Sequence, residues 1–187
     1  MKTMKINMVS LFLVIGFFGI SVNGNSQNIQ LSRQEKKEAR KAELAANFTI
    51  LDSLLNARSF VLEADYLRDY YGEVMPVLST LNFIRVNDKT GVLQTGSNFR
   101  FGYNGVGGVT AEGNIESWET FKNFKNLSYT IRFSLSTNIG HYDVLLNVNA
   151  DNHASATITG LGSGQLTWDG HLETLDNSRV FKGQNTI

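Results

Sequence analysis

The three histidines are the first residues whose type suits chemistry, because imidazole nitrogens bind zinc and copper. They are His141, His153 and His171, and the chain has no cysteine to add a thiolate ligand. If the C-terminal strands pair as antiparallel neighbours, His153 lies opposite His171 on the outward face, with Asp169 two positions along. His141 then lies about seven residue pairs away, at roughly 3.4 Å for each pair. We therefore expect ordinary polar residues on a sheet surface and no metal site.

The glutamates between residues 112 and 119 are the second candidates. Glu112, Glu116 and Glu119 are close in the sequence, and paired carboxylates can perform acid–base hydrolysis. In an extended strand Glu112 and Glu116 share a face but lie roughly 13 Å apart. The G-x-S-x-G turn of serine hydrolases is absent from the sequence. Surface carboxylates explain these residues, so we predict no catalytic residue and no enzymatic activity.

Glycine is concentrated between residues 96 and 113, which raises the question of a phosphate-binding loop. The glycines fit neither G-x-G-x-x-G nor G-x-x-x-x-G-K-[ST], and no helical pattern follows to supply an N-terminal dipole. In a β protein such glycines usually mark bulges, sharp corners or close approach of two backbones. No cofactor is therefore expected.

Composition and charge are those of an ordinary globular domain. The chain has 187 residues, of which 42% are hydrophobic and 18% charged. Basic and acidic residues both number 17, so the chain lacks the basic footprint of a nucleic-acid-binding protein. One domain and no nucleic-acid partner are the natural expectations.

The N-terminal residues have the layout of a secretory signal peptide. Lys2 and Lys5 precede an apolar run from Met8 to Ile20, and Gly24 and Ser26 supply small residues for cleavage. We assign residues 1–26 to this signal and expect a periplasmic or secreted protein with no membrane span in the mature chain. The absence of cysteine excludes disulfides and a thiol for lipid attachment, so the core must stabilise the fold.

Residues 27–58 form a linker and an N-terminal helix in this interpretation. Ser32 stands three residues before Glu35, which is the spacing of a capping box at a helix start. Charged residues fill the first turns, and apolar residues then recur at helical spacing. The pattern predicts that the second half packs on the sheet while the first half projects into solvent. The recurring apolar residues are Leu44, Phe48, Leu51 and Leu55.

From Ser59 the apolar period changes to two, and residues 59–187 are predicted to form an antiparallel β domain. The clearest signal is the hairpin from Ser128 to Asn149. A one-residue slip would reverse a whole face, so consistent inward pairing fixes the register. Three pairings across successive turns place inward-facing residues opposite one another at the same time: Leu135 with Tyr142, Val148 with Ala154, and Ile158 with Leu166.

About eight strands are expected in all, enough to close into a barrel. Before the central hairpin we predict strands at Ser59 to Tyr66, about Val77 to Val86, Val92 to Thr95 and Gly108 to about Trp118. The second of these is expected to be covered on both faces, with the helix outside. The predicted fold is mainly β, with an N-terminal helix followed by an eight-stranded, lipocalin-like antiparallel barrel. A two-sheet sandwich is the alternative.

Four stretches of the sequence resemble a known family. They are Ser79 to Phe83, Gly91 to Gly96, Gly105 to Gly113 and Lys182 to Ile187. Together they resemble the secreted Bacteroidetes proteins grouped as domain of unknown function 4251. The resemblance implies an exported protein with a mostly β fold after an N-terminal helix. It implies no activity, cofactor or site residue.

A barrel of this size either holds one small ligand or is filled by its own side chains. We expect a non-catalytic binder of an apolar or lipid-like small molecule, with Phe99, Phe101 and Tyr103 as a lip. The alternative is a structural or protein-interaction module of the cell envelope with a solid core. The residues expected to line the binding site are Phe60, Tyr66, Tyr129, Phe133, Tyr142 and Trp168.

Overall fold

The computed structural model describes residues 32–97, 105–160 and 164–187. The predicted signal peptide and the predicted lip at Phe99, Phe101 and Tyr103 lie outside the described residues. One helix, α1 (Arg33–Asn56), precedes the strands. The strands are β1 (Ser59–Arg68), β2 (Val74–Pro76), β3 (Phe83–Asn87), β4 (Thr90–Gln94), β5 (Thr110–Asn123), β6 (Ser128–Thr137), β7 (Gly140–Asn149), β8 (His153–Thr159) and β9 (Gln165–Glu173).

The sheet closes on itself. Strand β1 pairs with β3, each strand from β3 to β8 pairs with the next in sequence, and β9 returns to pair with β1. All of these pairings are antiparallel, and the short β2 adds to the outer part of β1. The predicted eight-stranded barrel after one helix is confirmed. Because the strands form a single closed sheet, the alternative prediction of a two-sheet sandwich is wrong.

The predicted register of the last four strands is confirmed at all three turns. Leu135 lies opposite Tyr142 in the β6–β7 hairpin, and Ile158 lies opposite Leu166 between β8 and β9. Val148 pairs with Ala154 across the β7–β8 turn. Continuous alternation over four strands leaves one register that places the inward-facing residues opposite one another.

The earlier strands differ from the prediction at their ends. Strand β3 begins at Phe83 instead of about Val77, because the preceding residues fold into a turn. In that turn the backbone N–H of Leu81 donates to Leu78 O, and the Asn82 side chain donates to the same carbonyl. Strand β5 runs on to Asn123, since its second half pairs with β6 after a bulge.

Helix α1 closes one end of the barrel. Its capping box is present, with Ser32 N donating to Glu35 Oε2 at 2.7 Å and Glu35 N donating to Ser32 Oγ at 3.2 Å. Phe48, Leu51 and Leu55 are buried in the same apolar cluster as the barrel interior. The first turns are exposed, as the charge pattern predicts. Among the described residues, no helix has the length and hydropathy needed to span a membrane.

The C-terminal segment, residues 174–187, covers the outer face of the barrel beside β3. Leu175 and Val180 pack against an outward-facing cluster of Val61, Phe83 and Val92. Strand β3 is therefore covered on both faces, as expected. The expectation that the helix provides the outer cover is wrong, because α1 lies across the barrel end and the C-terminal segment takes that place.

Candidate functional site

The predicted lining residues fill the barrel instead of surrounding a cavity. Phe60, Tyr129, Phe133, Tyr142 and Trp168 are each no more than 4% exposed and belong to one continuous core. Small residues make room for the largest one, since Ala156 lies opposite Trp168 and Gly170 opposite Ala154. Large-to-small packing of this kind leaves little internal volume.

Tyr66 is the exception, and its predicted inward orientation is wrong. Strand β1 has a bulge at Asp65, so Ala64 pairs with Gly170 while Tyr66 pairs with Asp169. The extra residue reverses the alternation of side chains beyond it. Tyr66 consequently points outward and is 50% exposed, and Leu67 takes the inward position opposite Trp168.

A small void lies inside the barrel. Its volume is about 20 Å³, which suffices for a single water molecule. Trp168 is one of the residues that line it, and its buried indole Nε1 finds no acceptor among the described residues. A drug-sized molecule does not fit there. The void is lined by Leu93, Thr95, Val109, Ala111, Tyr142, Ile158 and Trp168.

Tyr129, which was predicted to touch a ligand, instead ties the helix to the barrel. Its hydroxyl donates a hydrogen bond to the Asp52 carboxylate, and Lys122 Nζ lies 2.9 Å from the same group. The hydrogen bonds from Tyr129 and Lys122 hold the pKa of Asp52 below its ordinary value. Burial, followed by the contact with Asp52, raises the pKa of Tyr129. We call Asp52, Lys122 and Tyr129 the helix latch.

A groove runs along the flank of α1 that lies opposite the helix latch. Its volume is about 740 Å³, within the range of small-molecule sites. One wall is the helix flank, and the other is built from the β7–β8 turn and the residues after β9. We call it the helix groove. It is lined by Asn47, Ile50, Leu51, Ser53, Leu54, Ala57, Ser59, Asn149, Ala150, Asn152, Leu172, Glu173, Thr174, Leu175, Asp176 and Asn177.

The far wall of the helix groove is held rigidly. Asn152 adopts a left-handed backbone conformation with φ 65°, which asparagine tolerates better than most residues. Its side-chain amide donates to Leu172 O at 3.0 Å and accepts from Leu172 N at 3.1 Å. The turn between β7 and β8 is thereby fixed to the end of β9.

Charge in the helix groove is acidic. Its charged lining residues are Glu173 and Asp176, and the described residues that line it include no lysine, arginine or histidine. The remaining rim groups are neutral amides and hydroxyls, and the floor is aliphatic. This arrangement suits an apolar molecule whose polar part is neutral or positively charged. Sequence reasoning missed it, although Ile50 and Leu54 widen the apolar stripe of α1 beyond its buried residues.

The candidate chemical residues are dispersed or engaged in structure. His153 and His171 are opposite each other as predicted, and His171 Nδ1 lies 3.3 Å from Asp65 Oδ2. Within the described residues, no group of three histidine, aspartate or glutamate side chains is placed to hold a metal ion. Glu112 contacts Lys182 and Asn185, which lower the pKa of its carboxyl.

The four stretches that carry the family resemblance meet at the buried amide of Gln94. Its Nε2 donates to Leu81 O at 3.1 Å and to Phe181 O at 2.8 Å. Its Oε1 accepts from Thr110 Oγ1 at 2.9 Å and from Gly183 N at 2.7 Å. Gln94 is fully buried, so all of its hydrogen-bonding groups serve the fold. Through Gln94, the first three stretches hold the C-terminal segment, and we call this set of hydrogen bonds the clamp.

Comparisons with known proteins agree with the fold. A family model described as domain of unknown function (DUF4251) matches residues 42–172. The chain is also similar to a crystal structure of a DUF4251 family protein from Bacteroides eggerthii DSM 20697. The two are 31% identical with a TM-score of 0.61, over 73% of this chain and 93% of that one. No curated protein matches the chain.

Proposed function

From the premise that this chain belongs to the DUF4251 family, we propose that it is an exported, non-catalytic protein that binds an apolar small molecule in the helix groove. One contrast supports the proposal most strongly. The groove has a volume of about 740 Å³, whereas the void inside the barrel has about 20 Å³. The bound molecule therefore lies beside α1 and not in the barrel.

The floor of the helix groove supplies the driving force for binding. Ile50 is 66% exposed and Leu54 is partly exposed, so covering them removes apolar surface from water. Each Å² of apolar surface covered contributes about 25 cal/mol before the costs of association. The amides of Asn47 and Asn177 at the rim provide the few polar contacts that orient such ligands.

The acidic rim narrows the class of ligand. Glu173 and Asp176 would repel the carboxylate of a fatty acid or the phosphate of an anionic lipid. A neutral or cationic lipid-like molecule avoids that repulsion. The preferred ligand therefore has an aliphatic or aromatic body and an uncharged or positively charged polar end.

A periplasmic or secreted location and the lack of catalysis are parts of the same proposal. The signal-like pattern of residues 1–26 supports export. The engagement of Glu112 by Lys182 and Asn185 supports a role without acid–base chemistry. A ligand would be held and released without chemical change.

A structural or protein-interaction role in the envelope is the second candidate. The filled barrel favours it, and so does the exposed apolar hairpin of β1 and β2. In that hairpin Tyr70, Tyr71, Val74 and Met75 are between 57% and 88% exposed. This role requires no small molecule in the helix groove.

Native mass spectrometry of the protein purified from its own host separates the two candidates. The binding proposal predicts an adduct of defined mass that is released on unfolding and identified after solvent extraction. Bare protein that stays bare after incubation with a lipid extract of the host would instead favour the structural role.

Ala57→Trp tests the location of the ligand. Ala57 is exposed and lines the helix groove, so an indole there fills the groove without entering the core. Ala45→Trp is the matched control, because Ala45 is an exposed helix residue outside the groove. We expect the adduct-bearing fraction to fall about tenfold in Ala57→Trp and to be unchanged in Ala45→Trp. An undiminished adduct in Ala57→Trp would place the ligand elsewhere.

A further inference from the structure

We propose that the exposed half of α1 and the tip of the β5–β6 hairpin together form a surface that adsorbs to an anionic phospholipid bilayer. This surface is separate from the helix groove, which lies on the other flank of α1. It combines a row of cations with exposed phenylalanine rings.

The cations lie on one face of the helix. Residues spaced three and four apart lie above one another along an α-helix. All five basic residues of this row are exposed. Glu35 and Glu38 are on the opposite side, where Glu35 caps the helix start and Glu38 accepts from Gln34, and Glu43 lies at the edge of the row, three residues after Arg40. The row consists of Arg33, Lys36, Lys37, Arg40 and Lys41.

Among the described residues, none forms an ion pair with the cationic row. Residues 33–43 contain five basic and three acidic residues, whereas residues 44–187 contain 10 basic and 14 acidic ones, so the projecting end of α1 is net positive and the rest of the domain is net negative. Such a distribution orients a protein at a negatively charged surface.

The same helix face leads directly to the hairpin tip. Leu44 and Phe48 continue the row by one and two further turns, and Phe48 is buried at the barrel end. Phe124, at the tip, packs edge-on against Phe48 with the ring centroids 6.2 Å apart. It is nevertheless 71% exposed. The exposed ring therefore lies at the point where the cationic row meets the barrel.

The tip adds both aromatic surface and charge. Phe121 is 53% exposed, and the Arg132 guanidinium lies 5.7 Å from its ring centroid. Lys122 Nζ lies 4.8 Å from the ring centroid of Phe124 but is paired with Asp52, so the positive charge of the tip comes from Arg132 and from Lys125, which is exposed in the turn. Cations next to exposed aromatic rings are characteristic of surfaces that bind membrane interfaces.

A bilayer suits this surface better than a soluble polyanion does. Anionic headgroups attract the lysines and arginines, and this attraction weakens with salt. Burying the rings of Phe121 and Phe124 is favourable only if an apolar phase is within reach, and the acyl boundary of a bilayer provides one. A soluble acidic polymer offers charge but no such phase.

Vesicle flotation with the exported, processed protein tests this proposal. Vesicles of phosphatidylcholine alone are compared with vesicles that also contain phosphatidylglycerol, at about 0.03 M and about 0.5 M salt. We expect binding to the anionic vesicles at low salt, weaker binding at high salt, and little binding to the neutral vesicles. Equal binding to both kinds of vesicle, or no binding to anionic ones, would overturn the proposal.

Two variants and one control assign the effect to residues. Neutralising the row with Lys36→Gln, Lys37→Gln, Arg40→Gln and Lys41→Gln should lower the bound fraction at least about tenfold. The pair Phe121→Ser and Phe124→Ser should lower it a few-fold at about the same net charge. The control pair Lys89→Gln and Arg179→Gln, exposed residues elsewhere on the protein, should bind like the wild type.

Circular dichroism and thermal melting of each variant show whether it folds. If the control pair lost as much vesicle binding as the variant without the cationic row, binding would depend on the total charge of the protein, and this would contradict the assigned surface. Binding of the wild type to soluble polyphosphate but not to anionic vesicles would also contradict the proposal, since a soluble polyanion would then be the partner.

Discussion

The barrel interior and the helix groove are both lined by apolar side chains, yet they differ in available volume by more than an order of magnitude. In the interior, a regular sheet places large residues opposite small ones, as with Trp168 and Ala156. In the groove, the helix flank, a turn and the C-terminal segment meet without interlocking. Regular pairing fills space, and the junction of dissimilar elements leaves it open.

The two regions also differ in how much space lies beside their polar groups. Gly170 lies so close to the neighbouring strand that a Cβ there would come within 1.9 Å of Glu63 O. In the helix groove, by comparison, Asn47 and Asn177 line open space. A site for a ligand requires unfilled volume beside polar groups, and of these two regions only the groove provides it.

Opening the interior should produce the largest effect on stability. Trp168→Ala removes the largest fully buried side chain and should lower the free energy of unfolding by about 3–5 kcal/mol. Chemical denaturation measures this change. Ile50→Ala, in the helix groove, is the control and should cost less than about 0.5 kcal/mol because Ile50 is mostly exposed. Similar losses for both variants would contradict the distinction between a filled interior and an open groove.

Loosening the C-terminal segment should affect the groove wall more than the barrel. Gln94→Ala removes the side chain that bonds to Phe181 and Gly183, and should cost about 2–3 kcal/mol through unpaired buried groups. Leu175 and Asp176, which line the groove, should then exchange their amide hydrogens faster. The exposed Gln165→Ala is the control. Unchanged exchange at residues 175–176 in Gln94→Ala would show that the clamp does not hold the groove wall.

Acid should weaken the helix latch, which fixes the other wall of the groove. The pKa of folded Asp52 lies below its ordinary value of 3.8. Its contribution to stability is therefore fully present above that value and is lost as the pH falls through the lowered pKa. The melting temperature of Asp52→Asn should be below that of the wild type at neutral pH, and the difference should vanish in acid.

The exposed Asp88 provides the control for the helix latch. Asp88→Asn should melt like the wild type at neutral pH. A difference between Asp52→Asn and the wild type that stays constant down to the most acidic pH would contradict an ionised Asp52 in the latch.

The smallest effect is expected where the sequence prediction was wrong. Tyr66 points outward after the bulge at Asp65, so Tyr66→Ser should change the free energy of unfolding by no more than about 0.5 kcal/mol. Equilibrium unfolding in urea measures it. A loss above about 2 kcal/mol would mean that Tyr66 packs in the interior.

The sequence predicted the last four strands well because their signal is local and redundant. Uninterrupted alternation from Ser128 onward, together with short turns, leaves one register. The bulge at Asp65 has no such signal, because a single inserted residue leaves the composition of β1 unchanged. Its consequence was the wrong orientation of Tyr66.

The candidate site was largely beyond prediction, because it depends on contacts between distant parts of the chain. In the sequence Gln94 is one polar residue in a predicted strand, and only the folded structure shows that it bonds to Phe181 and Gly183. The helix groove likewise joins α1 to residues 95 to 130 positions later. Five of the six aromatic residues predicted to face inward do lie in the interior, but their types alone did not distinguish a packed core from a lined cavity.

Methyl NMR during a titration with octyl glucoside, a neutral amphiphile kept below its micelle concentration, tests the central claim most directly. Ile50 and Leu54 report on the helix groove, and Ile131 and Ile158 report on the barrel interior. We predict saturable shifts of the Ile50 and Leu54 methyl signals with the interior signals unchanged. Saturable shifts of Ile131 and Ile158 without those of the groove would show that the barrel takes the ligand and would contradict this account.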